Sequence, residues 1–113
     1  MAATYVSNIT INSGEDFDQT FTLESSDSSS PLDLDGYTVT SQMRKHAGSS
    51  TKTDFTTSVV SPASSGTIKL SLANTSTVNL KAGRYVYDIV IEKNSIKTRV
   101  LEGMVLVRQG VTR

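Results

Sequence analysis

Short runs of alternating apolar and polar residues recur along almost the whole chain, and that period of two constrains the fold more than any other feature. Successive side chains of a β-strand point to opposite faces, so each such run presents one face that must be covered. Phe17, Phe21 and Leu23 alternate with Asp18, Thr20, Thr22 and Glu24, and Ile68, Leu70 and Leu72 alternate with Thr67, Lys69 and Ser71. Further runs cover Tyr5 to Ile11, Tyr37 to Met43, Phe55 to Val59, Tyr85 to Ile91 and Ile96 to Leu101. The last continues to Met104–Val107 through Gly103, which is read as a bend or bulge. Turn chemistry separates the runs: Asn12-Ser13-Gly14, a serine-rich loop from Ser25 to Pro31, Asp35-Gly36, a loop around His46 to Ser50, and Pro62 to Gly66. Only Ala73 to Leu80 could hold a helical turn, with Asn74 or Thr75 as its cap. Its length and β-branched residues argue against a stable helix.

About seven short strands joined by regular turns predict an all-β chain folded as an immunoglobulin-like antiparallel β-sandwich, since each apolar face needs a second sheet over it. At 113 residues, with no visible linker and no repeat, the chain reads as one domain spanning 1–113. It contains no cysteine, so disulfides and thiol chemistry are excluded; a core of this size folds without a staple. Within Ala82-Gly83-Arg84-Tyr85-Val86-Tyr87-Asp88, the Gly-x-Tyr spacing places Tyr85 where immunoglobulin-like domains carry a corner tyrosine, whose hydroxyl ties the turn back to the backbone. Tyr87 then stands where antibody domains carry a disulfide cysteine, and its ring is expected to fill that space.

Eleven basic residues balance eleven acidic ones. Nucleic-acid binding draws its affinity from phosphate neutralisation, so no nucleic acid is expected as the main partner. No apolar run is long enough to span a bilayer, and the first residues show neither the charged nor the apolar part of a signal peptide. Synthesis and folding in the cytoplasm, without membrane contact, are the expectation.

The chemistry-bearing residues form no coherent constellation. His46, the only histidine, lies in a predicted loop with no nucleophile motif near it, and the expectation is a solvated residue and no enzyme. Glu15, Asp16 and Asp18, with Asp27, Asp33 and Asp35, are the carboxylates that a calcium ion could draw on; they lack the spacing of a calcium loop, and Asp33 and Asp35 are simpler to read as turn residues. No glycine-rich phosphate loop is present. No cofactor and no metal are therefore expected. Tyr5, Tyr37 and Tyr85 are the residues a sugar platform would use.

Several of these segments together resemble a family of small proteins of tailed phages and prophages. The matching stretches are Gly14-Glu15 with Phe17 to Leu23, Asp33-Leu34-Asp35-Gly36-Tyr37 with Gln42 and Arg44, Ala82 to Asp88, and Arg99 to Arg113. The chain is also similar to the β-sandwich amino-terminal domain of baseplate upper proteins in phages of lactic-acid bacteria. Asp35 stands where the family commonly has threonine, and Asn94-Ser95 remains where a glycine-containing hairpin turn is usual. The resemblance implies a virion protein near tail, baseplate or fibre, and it brings no catalytic residue with it.

The carboxyl end carries the expectation about partners. Met104, Val105, Leu106 and Val107 are apolar without alternation, as in a strand buried on both faces or covered by another chain. Met104, Leu106, Val107, Arg108, Val111 and Arg113 are accordingly the candidate contact residues, within a homo- or hetero-oligomeric assembly with other virion proteins. A capsid decoration protein and a carbohydrate-binding module on the particle surface are the alternatives.

Overall fold

The computed structural model describes residues 5–23 and 33–111, with Tyr5 described only in its backbone. The serine-rich stretch Ser25 to Pro31, with Asp27, and the terminal Arg113 lie outside the described residues.

Two packed sheets form an all-β sandwich. The framework is a long hairpin of β8 (Gly83–Lys93) and β9 (Ile96–Arg108). Its two-residue turn, Asn94-Ser95, holds both residues at positive φ, 53° and 66°, the type I′ geometry whose twist matches that of a hairpin. On the other side of β8 lies β4 (Thr38–Arg44), antiparallel, followed by the short edge strand β5 (Lys52–Asp54). On the far side of β9, β1 (Tyr5–Val6) and β2 (Ile9–Asn12) run parallel to it. The second sheet has the order β3–β7–β6, from Phe17–Thr22, Thr67–Leu72 and Thr56–Val59. This is an immunoglobulin-like arrangement in which the first strand pairs entirely with the last one, leaving β3 at the edge of its sheet.

Eight of the nine strand segments among the described residues fall on the seven expected strands, the first of which is interrupted; the ninth, β5, lies ahead of the run expected from Phe55 to Val59. The chain changes sheets at Phe55, between β5 and β6, and drives that ring into the core. Phe55 meets Phe17 at 6.0 Å and the edge of Tyr87 at 6.2 Å between ring centroids, so three aromatic rings join the two sheets. The first strand is interrupted at Ser7-Asn8, where the chain crosses close over Gly103.

That crossing corrects the reading of Gly103. β9 runs through Gly103 without a break, and its bulge lies earlier: Ile89 pairs with Leu101 and Val90 with Arg99, which leaves Val100 as the extra residue. Val100 and Leu101, adjacent in sequence, are both buried as a result. Gly103 is needed for a different reason. A Cβ there would lie 2.0 Å from the Ser7 carbonyl oxygen, so only glycine admits the crossing.

One helical turn does form, at α1 (Asn74–Thr77), against the expectation from local propensity. Neither Asn74 nor Thr75 caps it. The position before it is Ala73, and the acceptor is supplied from across the fold by Asp16 Oδ1, which receives Asn74 N–H at 2.7 Å and Asn74 Nδ2 at 2.9 Å. Thr77, fully buried, donates its hydroxyl to the Glu15 carbonyl at 2.7 Å and receives Gly14 N–H at 3.1 Å. Tertiary hydrogen bonds thus hold a turn that the local sequence would not hold alone.

The Gly-x-Tyr expectation is met. Tyr85 donates its hydroxyl to the Lys81 carbonyl at 2.7 Å, four residues upstream, fixing the corner into β8. Tyr87 fills the core beside Phe55 and donates to the Ser7 carbonyl at 2.6 Å, anchoring the β1–β2 crossing.

Candidate docking surface

The carboxyl-terminal apolar run divides by parity. Val105 and Val107 point into the core, and Met104 and Leu106 point outward, 48 % and 43 % exposed. Val107, expected as a contact residue, is therefore a core residue at 1 % exposure: with one face of β9 turned into the core, every second residue of the run is consumed by the sandwich. Arg108 is exposed at the end of β9, and its carbonyl accepts Ser13 N–H. Val111 is almost fully exposed beyond the strand.

Met104 and Leu106 share the outer face with residues that their own segment does not announce. Across the sheet Met104 lies level with Val86 and Arg44, and Leu106 with Arg84 and Thr10; Val6, 74 % exposed, sits beside Glu102. The signal for Val86 and Val90 was present in the sequence. β8 is apolar on both parities, with Tyr87, Ile89 and Ile91 inward and Val86 and Val90 outward. A strand with a polar outer face would not carry the second pair.

Charge on this face is ordered. Arg44 and Lys52 are level with Met104 and Val86, and Arg84 lies one step further along, level with Leu106. One step in the opposite direction an acidic row runs through Glu102, Asp88 and Asp54, interrupted by Gln42. Arg99 reaches into that row, its Nε 3.2 Å from Asp88 Oδ2 and its Nη1 3.9 Å from Glu102 Oε1. Lys52 Nζ lies 3.0 Å from Asp54 at the sheet edge. Residues of both rows, with Val6 and Met104, line a recess of about 780 Å³ on this face.

The other candidate residues do not converge. His46 is exposed in the loop after β4, at one end of the recess. Asp33 Oδ1 accepts Asp35 N–H at 3.0 Å, a turn bond, and Glu15 accepts from Asn12, so these carboxylates serve local geometry. Among the described residues no group of three or more histidine, cysteine or acidic side chains is placed to hold a metal ion. Lys93 Nζ stands 5.3 Å from the ring centroid of Tyr37, and Lys45 Nζ stands 4.8 Å from that of Tyr85; both rings are half-buried. A lysine ammonium thus stands over one face of each ring.

No helix of the described residues is long and apolar enough to cross a membrane. No family model matches the chain, and no curated protein matches it. Among solved structures, the crystal structure of Listeria monocytogenes InlP is similar with a TM-score of 0.46 and 18% identity, over 90% of this chain and 26% of that one. The chain thus spans about a quarter of that protein, and a likeness at this level identifies neither a family nor an activity.

Proposed function

We propose that this domain is a non-catalytic docking module, and that it assembles through the outer face of the β4–β8–β9 sheet. The observation that carries this reading is the grouping of Val6, Met104 and Leu106 on one sheet face, uncovered by the described residues of their own chain. Scattered exposed hydrophobics are ordinary on a protein surface, whereas several grouped on a rigid sheet and bordered by ordered charge are what a partner can bury. The assembly we propose is a tailed-phage particle, at tail, baseplate or fibre; support for this is the sequence resemblance at Gly14-Glu15 with Phe17 to Leu23, Asp33 to Tyr37 with Gln42 and Arg44, Ala82 to Asp88, and Arg99 to Arg113.

Mass spectrometry of purified particles, split into heads and tails, tests the location. Recovery in tails in a fixed ratio to a known tail protein is the expected result. Recovery in heads alone would make the domain a decoration protein, and absence from both would remove it from the particle.

A further inference from the structure

We propose that the open edge of β3 pairs with β3 of a second copy of this chain, antiparallel about a two-fold axis through Thr20, joining the two three-stranded sheets into one of six strands. This contact lies on the other sheet from the docking face and stands independently of it.

The register of β3 fixes which of its backbone groups are open. Leu23 N–H donates to the Gly66 carbonyl at 2.8 Å, one step beyond the paired residues Thr22 and Thr67. Hydrogen-bonded pairs alternate along an antiparallel ladder, so Phe17, Gln19 and Phe21 bond to β7, and Asp18, Thr20 and Thr22 turn N–H and C=O away from it. No hydrogen bond among the described residues reaches those outward groups, and the three side chains are exposed. The other edges are blunted against pairing. β5 is three residues long and carries the Lys52–Asp54 ion pair, and the first strand is interrupted at Ser7-Asn8. On β6, Thr57 donates its hydroxyl to the Val39 carbonyl at 2.9 Å, which ties that edge to β4. β3 runs six residues without proline, lysine or bulge.

Such an edge takes an extended main chain, and its own copy fits it by register. With Thr20 opposite Thr20 of the second copy, Asp18 faces Thr22 and Thr22 faces Asp18. Outward-bonding residues then meet at all three positions, and every open group of both strands is paired. Moving the axis one residue either way carries Asp18 or Thr22 past the end of the opposing strand. Side chains agree with the same axis. Thr22 Oγ1 stands 3.2 Å from Thr67 Oγ1, so Thr67 can donate to Thr22 while Thr22 donates to the facing Asp18 carboxylate. Thr20 against Thr20 is a favourable cross-strand pair. The two Asp18 residues lie about 14 Å apart, against about 8 Å with the axis at Gln19, so charge and hydrogen bonding select one register.

A charge placed at Thr20 meets its own copy on the axis, which gives the test. Sedimentation velocity of the parent chain should show a concentration-dependent dimer. Thr20→Lys alone and Thr20→Glu alone, both at an exposed position, should keep the fold and each raise the dissociation constant about fivefold. Mixed in equal amounts they should recover dimer, because lysine then faces glutamate. Amide exchange should slow with rising concentration at Asp18, Thr20 and Thr22 and stay constant at Gln19 and Phe21, which already bond to β7 in one copy. A parent chain that stays monomeric at about 100 μM overturns the proposal. So does a dimer that neither Thr20 variant weakens, or a mixture that forms no more dimer than either variant alone. Leu106→Asp should leave the dimer unchanged; a dimer lost in Leu106→Asp and kept in both Thr20 variants places the contact on the outer sheet face and overturns pairing through β3.

Discussion

Replacing Gly103 with alanine should detach the first strand from the sandwich. The added Cβ would lie 2.0 Å from the Ser7 carbonyl oxygen and 2.7 Å from its carbon, both backbone atoms that no rotamer change can remove. The Ser7-Asn8 crossing has to move, and three hydrogen bonds depend on its position. They are Ser7 N–H to the Glu102 carbonyl at 2.9 Å, Tyr87 hydroxyl to the Ser7 carbonyl at 2.6 Å, and Met104 N–H to Asn8 Oδ1 at 3.0 Å. At about 1 kcal/mol net for each, the loss is about 3 kcal/mol, with the Tyr87 hydroxyl left unpaired in a buried setting. That is a large share of a typical stability of about 5–15 kcal/mol and corresponds to a fall in Tm of about 12 °C for a chain of this length. Urea unfolding followed by circular dichroism measures it. Gly48→Ala is the control: its Cβ meets nothing closer than His46 Nδ1 at 3.8 Å, so its effect should stay within about 0.5 kcal/mol. Tyr87→Phe combined with Gly103→Ala should cost less than the sum of the two, because both act on the same bond. A Gly103→Ala protein as stable as the parent would refute the close crossing and the role given to glycine.

The Tyr87 hydroxyl, pushed up from 10.0 to about 12 by burial and lowered only in part by its bond to Ser7, makes stability fall as pH rises between about 10 and 12. There the unfolded chain has released this proton and the folded chain has kept it, so the folded state loses up to roughly 2–3 kcal/mol relative to the unfolded one. Denaturant midpoints from pH 9 to 12 should show that decline in the parent and a shallower one in Tyr87→Phe; equal slopes would contradict it. At the hairpin turn, Ser95 holds φ 66°, which glycine adopts without steric cost, so Ser95→Gly should stabilise the chain by about 0.5–1 kcal/mol in the same assay.

Most of the fold was legible because one face of each strand is buried, and burial writes itself into alternation. Phe17, Phe21, Ile68, Leu70 and Leu72 lie in the core as their spacing requires. Tyr85 was legible from Gly-x-Tyr because a corner bond reaches only four residues back. What the sequence concealed depends on contacts between distant segments. The Asp16 cap on α1 joins residues 58 positions apart, and the Gly103 constraint comes from Ser7 at the other end of the chain. The proposed docking surface was half legible. Met104 and Leu106 could be picked out as apolar, but Val107 could not be separated from them until the parity of β9 was known. The ordering of Arg44, Lys52, Asp54, Asp88 and Glu102 into two rows requires the register of four strands, which no single segment contains.

Leu106 and Val107 are neighbours in sequence and face opposite ways, so a matched pair of substitutions tests the docking face most directly. Leu106→Asp and Val107→Asp would be produced side by side, their unfolding measured, and each offered to particles that lack the parent protein, with incorporation read by mass spectrometry. Leu106→Asp should melt within a few degrees of the parent and fail to incorporate, and Val107→Asp should not fold. A Leu106→Asp chain that folds and incorporates at the parent level would contradict the claim that this face carries the assembly contact.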